Sequence, residues 1–181
     1  EPLDVGRLKT VIAEACGGLA DVDGTLVLQE TLKNLYDGVT QQDVNAALIM
    51  SARTMVEKEP NYSYVTARLL LDDIRAKALT CLGVAEKATQ FEMETFYPKA
   101  LKEFLQLAVN SDLVSAELLE YDLDQMATAL KAERDNQFTY LGLQTLYDRY
   151  FIHKDEVRIE LPQVFFMRIA MGLALREDNR E

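Results

Sequence analysis

One apolar stretch near the end of the sequence, residues 163–175, restricts the possible folds more than any other segment. Apolar residues occupy most of its positions: Val164, Phe165, Phe166, Met167, Ile169, Ala170, Met171, Leu173 and Leu175. Pro162 directly precedes the stretch, and proline fits the first turn of a helix because its missing N–H has no partner to lose there. A helix that is apolar on nearly every face is buried on most sides. We therefore expect a buried helix that needs more partner surface than the few residues after it supply, which suggests a piece of a longer protein.

The residues before this helix predict a second helix and a hairpin. Apolar and aromatic residues recur at three- and four-residue intervals over 138–150, the spacing of an amphipathic helix, and Asp135 or Asn136 is its expected N-cap. Residues 151–152 and 157–161 have the pattern of short strands, with a polar stretch between them. We therefore expect one short β-hairpin whose tip lies at residues 154–156.

The first part of the chain predicts four helices joined by short turns. Asp4, Asp23 and Thr40 each stand directly before a run with helical apolar spacing, as N-caps do. Asp43 lies three residues after Thr40, the arrangement of a capping box. Pro60 ends the third helix because the residue before a proline is disfavoured in helical conformation. These signals indicate a small four-helix bundle.

The fourth helix of that bundle, predicted over residues 64–79, has a clear apolar face. Val65, Leu69, Leu70 and Ile74 are expected to point inward. Its polar residues are assigned to the outside: Arg68, Asp72, Asp73, Arg75 and Lys77. On this interpretation the paired acids of the helix are solvated surface groups and not an acid-base pair.

A less periodic segment, residues 80–98, separates two predicted domains, with the boundary near residue 85. The first domain, residues 1–85, contains the four-helix bundle. The second domain, residues 86–181, is expected to hold helices at about 98–109, 116–120 and 123–130, followed by the helix, hairpin and helix described above. The predicted fold is therefore mainly α, a four-helix bundle followed by a helical domain with one short β-hairpin.

Composition excludes several classes of function. The formal net charge of −11 opposes non-specific binding to nucleic acid, because phosphate contacts need clustered Lys and Arg. No run of eighteen apolar residues or secretion signal occurs, so the sequence predicts a cytoplasmic protein without a membrane span. The single His153 is expected in an exposed turn, and Cys16 and Cys81 lack metal-ligand spacing. We therefore predict no metal site and no catalytic residue, with both cysteines as small buried thiols.

The two C-terminal helices carry a resemblance to a known family. The residues concerned are YLGLQTLYDRYF at 140–151 and ELPQVFFMRIAMGLAL at 160–175. This pattern resembles the large (alpha) subunit of class I ribonucleotide reductase, in the helical region just before the catalytic barrel. The resemblance implies that the catalytic cysteines lie in the barrel beyond this segment, and that neither cysteine here matches them.

The first eighty residues resemble most of an ATP-cone, the regulatory module at the start of such subunits. The matching residues are DVGRL at 4–8, YDGV at 36–39 and PNYSYVTARL at 60–69. The cone's basic hairpin, which should precede the first residue, is missing. Gln41 and Asn45 stand where family members that bind nucleotide usually have Thr and His, whereas Arg7 and Lys77 keep positive charge at two aligned positions. The resemblance thus implies a truncated or vestigial cone in which Arg7 and Lys77 are the candidate nucleotide-binding residues.

The function implied is that of an N-terminal regulatory and helical fragment, itself non-catalytic, of an enzyme that makes deoxyribonucleotides from ribonucleoside diphosphates. No cofactor is expected in the fragment, and ATP and dATP are possible effectors of the parent. Expected partners are the catalytic barrel, the small radical-supplying subunit and other copies of the large subunit. Two alternatives stay open: a nucleotide-independent module for subunit interaction, and an unrelated helical adaptor. We expect no tight binding of ATP or dATP.

Overall fold

The computed structural model describes residues 4–177, which are mainly helical. The eight α-helices of this part are α1 (Val5–Cys16), α2 (Gly24–Lys33), α3 (Gln41–Thr54), α4 (Tyr62–Cys81), α5 (Met93–Asn110), α6 (Leu123–Thr128), α7 (Tyr140–Arg149) and α8 (Pro162–Ala174). Two 3-10 helices span Ala116–Glu120 and Ala132–Gln137, and strands β1 (His153–Lys154) and β2 (Val157–Arg158) form a hairpin. The predicted fold, mainly α with one short hairpin, is confirmed.

The chain divides into two compact units. Unit 1 comprises Glu1–Asp73 and Asn136–Leu146, and unit 2 comprises Ile74–Asp135 and Tyr147–Glu181. The division falls within α4 and within α7, whereas the sequence suggested one boundary near residue 85. The domain ranges 1–85 and 86–181 stay a prediction, since compactness alone does not define a domain family.

Unit 1 is built on helices whose starts are fixed by local side-chain caps. The carboxylate of Asp4 accepts from the Arg7 N–H, and that of Asp23 accepts from the Thr25 N–H. Thr40 and Asp43 form the complete capping box at the start of α3. Each cap satisfies an N–H that would otherwise lack a partner in the first turn. The predicted caps of α1, α2 and α3 are therefore confirmed.

One apolar core joins the helices of unit 1. Its buried residues are Leu8, Val11, Ile12, Ala15, Val27, Val44, Leu48, Ala52, Tyr62, Val65 and Leu69. Helices α1 and α2 approach closely at Gly24, where a Cβ atom would lie 2.7 Å from the side chain of Ile12. A side chain at position 24 would therefore require Ile12 or the neighbouring backbone to shift.

In unit 2, α5 packs against α8. The buried face of α5 consists of Met93, Tyr97, Ala100, Leu101, Phe104, Leu105 and Ala108. Helix α5 begins at Met93 and contains Pro98, so the prediction that it starts after this proline was wrong. The start at Met93 brings two further large side chains, Met93 and Tyr97, into the apolar core, which outweighs the backbone hydrogen bond that Pro98 cannot make.

Helix α8 departs from its prediction, because only one side of it is buried. Val164, Phe165 and Met171 are buried, whereas Phe166 is 50% and Leu173 is 76% exposed. Ile169 lies between the last two along the helix and is also exposed. Spacing of three and four residues places these exposed side chains on one stripe. Within the described residues of unit 2 the helix is therefore buried on one side only, and the exposed stripe is apolar surface for which the sequence analysis expected a further partner.

The hairpin pairs His153 with Arg158 and Lys154 with Val157. Asp155 and Glu156 both have positive φ, as the mirror-image turns that suit right-handed strand twist require. The tip is thus within the predicted segment, and His153 is exposed as predicted. Phe151 lies outside the strands and is buried against the ring of Phe165, with 5.4 Å between the ring centroids.

Candidate functional site

Arg7, the first candidate nucleotide-binding residue, lies in the first turn of α1 in unit 1. Its guanidinium forms an ion pair with the carboxylate of Asp72 on α4. The two side chains are 21% and 20% exposed, so the pair is partly shielded from water. A guanidinium binds carboxylate and phosphate with the same N–H donors. Asp72 therefore occupies a donor that a phosphate group would need.

The residue after Asp72 organises a second set of polar contacts in unit 1. The amide of Asn45 donates to the carboxylate of Asp73 at 2.9 Å, and Asn45 accepts from the amide of Gln41 at 2.9 Å. Asp73 is 9% exposed. Its predicted position on the outside of α4 was wrong, because an amide from α3 supplies the hydrogen bond that lets the carboxylate be buried.

Lys77, the second candidate, lies on α4 beyond the division and belongs to unit 2, where its side chain is half-buried. Arg7 and Lys77 are thus described in different units. Their role in nucleotide binding stays a prediction.

A groove of roughly 390 Å³ lies in unit 1 and is lined mainly by residues of α1 and α2, among them Lys9, Ile12 and Cys16. Burial raises the pKa of the Cys16 thiol, while nearby Arg68 acts in the opposite direction. The thiol form is a poor nucleophile, since thiolate is the reactive species. The half-buried Cys16 therefore does not have the character of an activated thiol.

Arg68 was expected on the outside of α4 but is half-buried, and it completes the end of α1. Its guanidinium donates to the carbonyl oxygens of Ala15 at 3.0 Å and Gly17 at 2.7 Å. The last carbonyls of a helix lack intrahelical partners, and a cation also complements the helix dipole there. Arg68 thus has a structural role in unit 1.

The most buried polar network of unit 2 centres on Asp135, which is 0% exposed. Its carboxylate accepts hydrogen bonds from Tyr97 at 2.6 Å, Gln163 at 2.8 Å and Arg75 at 3.1 Å. Arg75 also donates to the side-chain oxygen of Gln90. The network therefore connects α4, α5 and α8 through one residue of the 3-10 helix Ala132–Gln137. Asp135 and Asn136 both lie in this 3-10 helix and before the start of α7 at Tyr140, so the prediction that one of them is the N-cap of α7 was wrong. Arg75 is buried, so its predicted position on the outside of α4 was also wrong.

The electrostatics of this network follow from its burial. Burial raises the pKa of Asp135, while the Arg75 charge and the donors from Tyr97 and Gln163 oppose that rise. Burial and the neighbouring Asp135 charge hold the pKa of Tyr97 well above its usual value. Tyr97 therefore remains a hydrogen-bond donor at neutral pH. The arrangement suits a structural connection more than proton transfer.

A second buried acid of unit 2, Glu160, stabilises the loop before α8. Its carboxylate accepts from Arg168 at 2.6 Å and from the Ile152 N–H at 3.0 Å. Burial raises the pKa of Glu160, and the bonds from Arg168 and Ile152 oppose that rise. This contact positions the start of α8 relative to the segment before β1.

Other groups with possible chemistry are separate from these networks. Cys81 is exposed. Across residues 4–177 no set of three or more His, Cys, Asp or Glu side chains is arranged to hold a metal ion. Over the same residues no helix has both the length and the apolar character needed to cross a membrane.

The sequence interpretation missed Asp72, Asp73, Arg75 and Asp135. For Arg75 a signal was present: Leu71 and Leu79, four residues to either side of it on α4, are both buried. Residues four apart share a helix face, so a charge between two inward leucines is itself directed inward. For the three acids no local pattern identifies the partner, since each partner comes from another helix.

Comparison with known proteins gives one family match in the C-terminal part and relatives along most of the chain. Residues 136–181 match the family model of the ribonucleotide reductase all-alpha domain. The chain is 39% identical over 175 residues to the ribonucleoside-diphosphate reductase subunit alpha of Chlamydia trachomatis, covering 96% of this chain and 16% of that protein. It is 33% identical over 182 residues to the corresponding subunit of Helicobacter pylori, covering 99% of this chain and 21% of that protein. The ribonucleoside-diphosphate reductase 1 subunit alpha of Escherichia coli is 24% identical over 153 residues, covering 84% of this chain and 19% of that protein.

These matches, together with the helical fold, define the C-terminal part of the chain as an all-alpha segment of the ribonucleotide reductase type. Most of the chain is similar to ribonucleoside-diphosphate reductase alpha subunits, as the sequence resemblance indicated. It spans only 16–21% of the length of the first relatives named above. The matched family model does not include the first helices, so their likeness to an ATP-cone stays a prediction.

Proposed function

We propose that the chain is a non-catalytic helical segment of a ribonucleoside-diphosphate reductase large subunit, whose activity is reduction of ribonucleoside diphosphates to deoxyribonucleotides. Similarity to alpha subunits over 96% of the chain is the observation that carries this proposal. The half-buried, unactivated thiol of Cys16 is consistent with it. The same similarity disfavours the alternative of an unrelated helical adaptor.

Within that parent, we propose that the first helices act as a packing module that does not depend on nucleotide. The guanidinium of Arg7 is paired with Asp72, Gln41 donates to Asn45, and Asn45 donates to Asp73. A nucleotide phosphate would have to displace these contacts and lie beside two carboxylates. The competing function is regulation by ATP or dATP through the same residues, as the ATP-cone resemblance implies.

The proposed partners are the remainder of the large subunit, the small radical-supplying subunit and further copies of the large subunit. The exposed stripe of α8, formed by Phe166, Ile169 and Leu173, supports this, because exposed apolar patches mark surfaces that associate. The chain spans only 16% of the length of the Chlamydia trachomatis subunit, which also supports the proposed contacts with the remainder of a large subunit.

Isothermal titration of magnesium-ATP and magnesium-dATP into the 181-residue chain tests the packing role. We expect no saturable heat at millimolar nucleotide. Sedimentation of the chain with and without ATP supplies a second readout, and we expect its association state to be the same in both. Saturable binding that shifts the association state would refute the nucleotide-independent role and favour regulation.

A further inference from the structure

Two adjacent carboxylates on α4 receive polar side chains from two other helices of unit 1. Asp72 pairs with Arg7 of α1, and Asp73 accepts from Asn45 of α3 at 2.9 Å. Gln41, in the first turn of α3, donates to Asn45 at 2.9 Å. The acids therefore occupy donors of α1 and α3 at neighbouring positions of one helix.

Arg7 would be well placed to bind an external anion if the carboxylate of Asp72 were not already paired with it. Its side chain is 21% exposed, so dissolved ions can approach it. Its backbone N–H donates to Asp4 at 2.9 Å, which fixes the residue in the first turn of α1, where the helix dipole also favours negative charge. A guanidinium at such a position binds phosphate oxygens as readily as carboxylate oxygens.

We propose that Asp72 is an internal substitute for a phosphate group, which converts an anion-binding site at Arg7 into a closed contact between α1 and α4. An incoming polyphosphate must break the Arg7–Asp72 pair and must also lie close to the Asp72 charge. The loss of the ion pair and the repulsion by Asp72 both oppose binding, so the wild-type site does not bind an external anion. The proposal rests on the nucleotide-independent function proposed above, because it gives the physical cause of that independence.

The test replaces Asp72 by asparagine, which keeps the size and removes the charge. Inorganic tripolyphosphate is titrated into wild type and Asp72→Asn at low ionic strength, where screening of exposed charges is weakest. We expect no saturable heat for wild type and saturable heat for the variant. Because like charges repel strongly at contact distance, the affinity should rise by about tenfold or more. Asp72→Ser serves as a second variant in case the asparagine oxygen still accepts from Arg7.

Two controls make the result specific to this site. Asp124→Asn also removes one carboxylate charge, but from the exposed Lys102–Asp124 pair in unit 2. This variant should not bind tripolyphosphate. Arg7→Gln combined with Asp72→Asn should lose the gain. Circular dichroism of each variant checks that the helices are retained.

Three outcomes would count against the proposal. Folded Asp72→Asn and Asp72→Ser variants that both stay silent would overturn it while leaving the nucleotide-independent function intact. Binding that survives in the Arg7→Gln double variant would show that Arg7 is not the anion site. A wild type that binds tripolyphosphate and ATP as tightly as the variant does would overturn this proposal and the proposed function together.

Discussion

Replacing Asp135 by alanine should cost unit 2 a large part of its stability. The carboxylate is 0% exposed and the side chain of Arg75 is only 4% exposed. Removing one partner of a buried ion pair leaves an uncompensated charge, at a cost of about 3–5 kcal/mol. The hydroxyl of Tyr97 and the amide of Gln163 lose the same acceptor. Since whole domains are stable by about 5–15 kcal/mol, the variant should be close to its unfolding limit.

A double-mutant cycle separates the ion pair from the rest of this cost. We expect Arg75→Met combined with Asp135→Leu to be less destabilised than the sum of the two single changes by about 2 kcal/mol or more, since neither charge is then left buried alone. The Nε atom of Arg75 has no hydrogen-bond partner among the described residues, so methionine also removes an unsatisfied donor.

The assay is urea unfolding at neutral pH, followed by circular dichroism and tyrosine fluorescence. Coincident transitions by the two probes justify a single free energy of unfolding. Asp135→Asn, which keeps the shape but places an amide against several donors, replaces the alanine variant if the latter does not fold. The assignment of a buried pair would be refuted if the free-energy cost of the double variant equalled the sum of the two single costs. A cost below about 1 kcal/mol for Asp135→Ala would refute it as well.

Two further predictions concern Glu160 and Arg68. Burial raises the pKa of Glu160, so the native state keeps that proton to higher pH than the unfolded chain does. Wild type should therefore lose stability relative to Glu160→Gln as the pH rises from about 4.3 through the raised pKa. Urea titrations across that range measure the difference, and a wild type that gains on the variant with rising pH would contradict the sign. Arg68→Met should lower the free energy of unfolding by about 1–2 kcal/mol, because the hydrogen bonds to Ala15 and Gly17 are lost. The control Lys33→Met, at an exposed ion pair, should change it by no more than about 0.5 kcal/mol in the same assay.

Features encoded by neighbouring residues were predictable from the sequence. The caps Asp4, Asp23 and Thr40 act on N–H groups two or three residues away, so the side chain and its partner occur in one short window. The hairpin tip at Asp155 and Glu156 is equally local. Such features are stabilised within a few residues and change little with the tertiary environment.

Features that depend on distant partners were not predictable in the same way. Asp135 precedes a helical pattern and has good cap chemistry, but donors from α4, α5 and α8 surround it in the fold. Arg75 was placed outside by charge alone, although buried leucines lie four residues before and after it. Hydrophobic pattern identifies the inward face of a helix, whereas it does not show which polar residue on that face will find a partner.

The same reasoning bears on where function can lie in this chain. Within unit 1, Asp72 and Asp73 engage polar side chains of α1 and α3, and within unit 2, Asp135 and Glu160 engage Arg75 and Arg168. Acidic residues in an acidic chain are thus used to connect helices internally. A cation whose charge already balances a carboxylate contributes little to external anion binding until that carboxylate is removed. The apolar stripe of α8 differs, because its exposure to water costs free energy that association with another apolar surface would recover. In the function proposed above the segment therefore acts through its surfaces, and the Asp72→Asn titration measures whether Asp72 closes an anion site at Arg7.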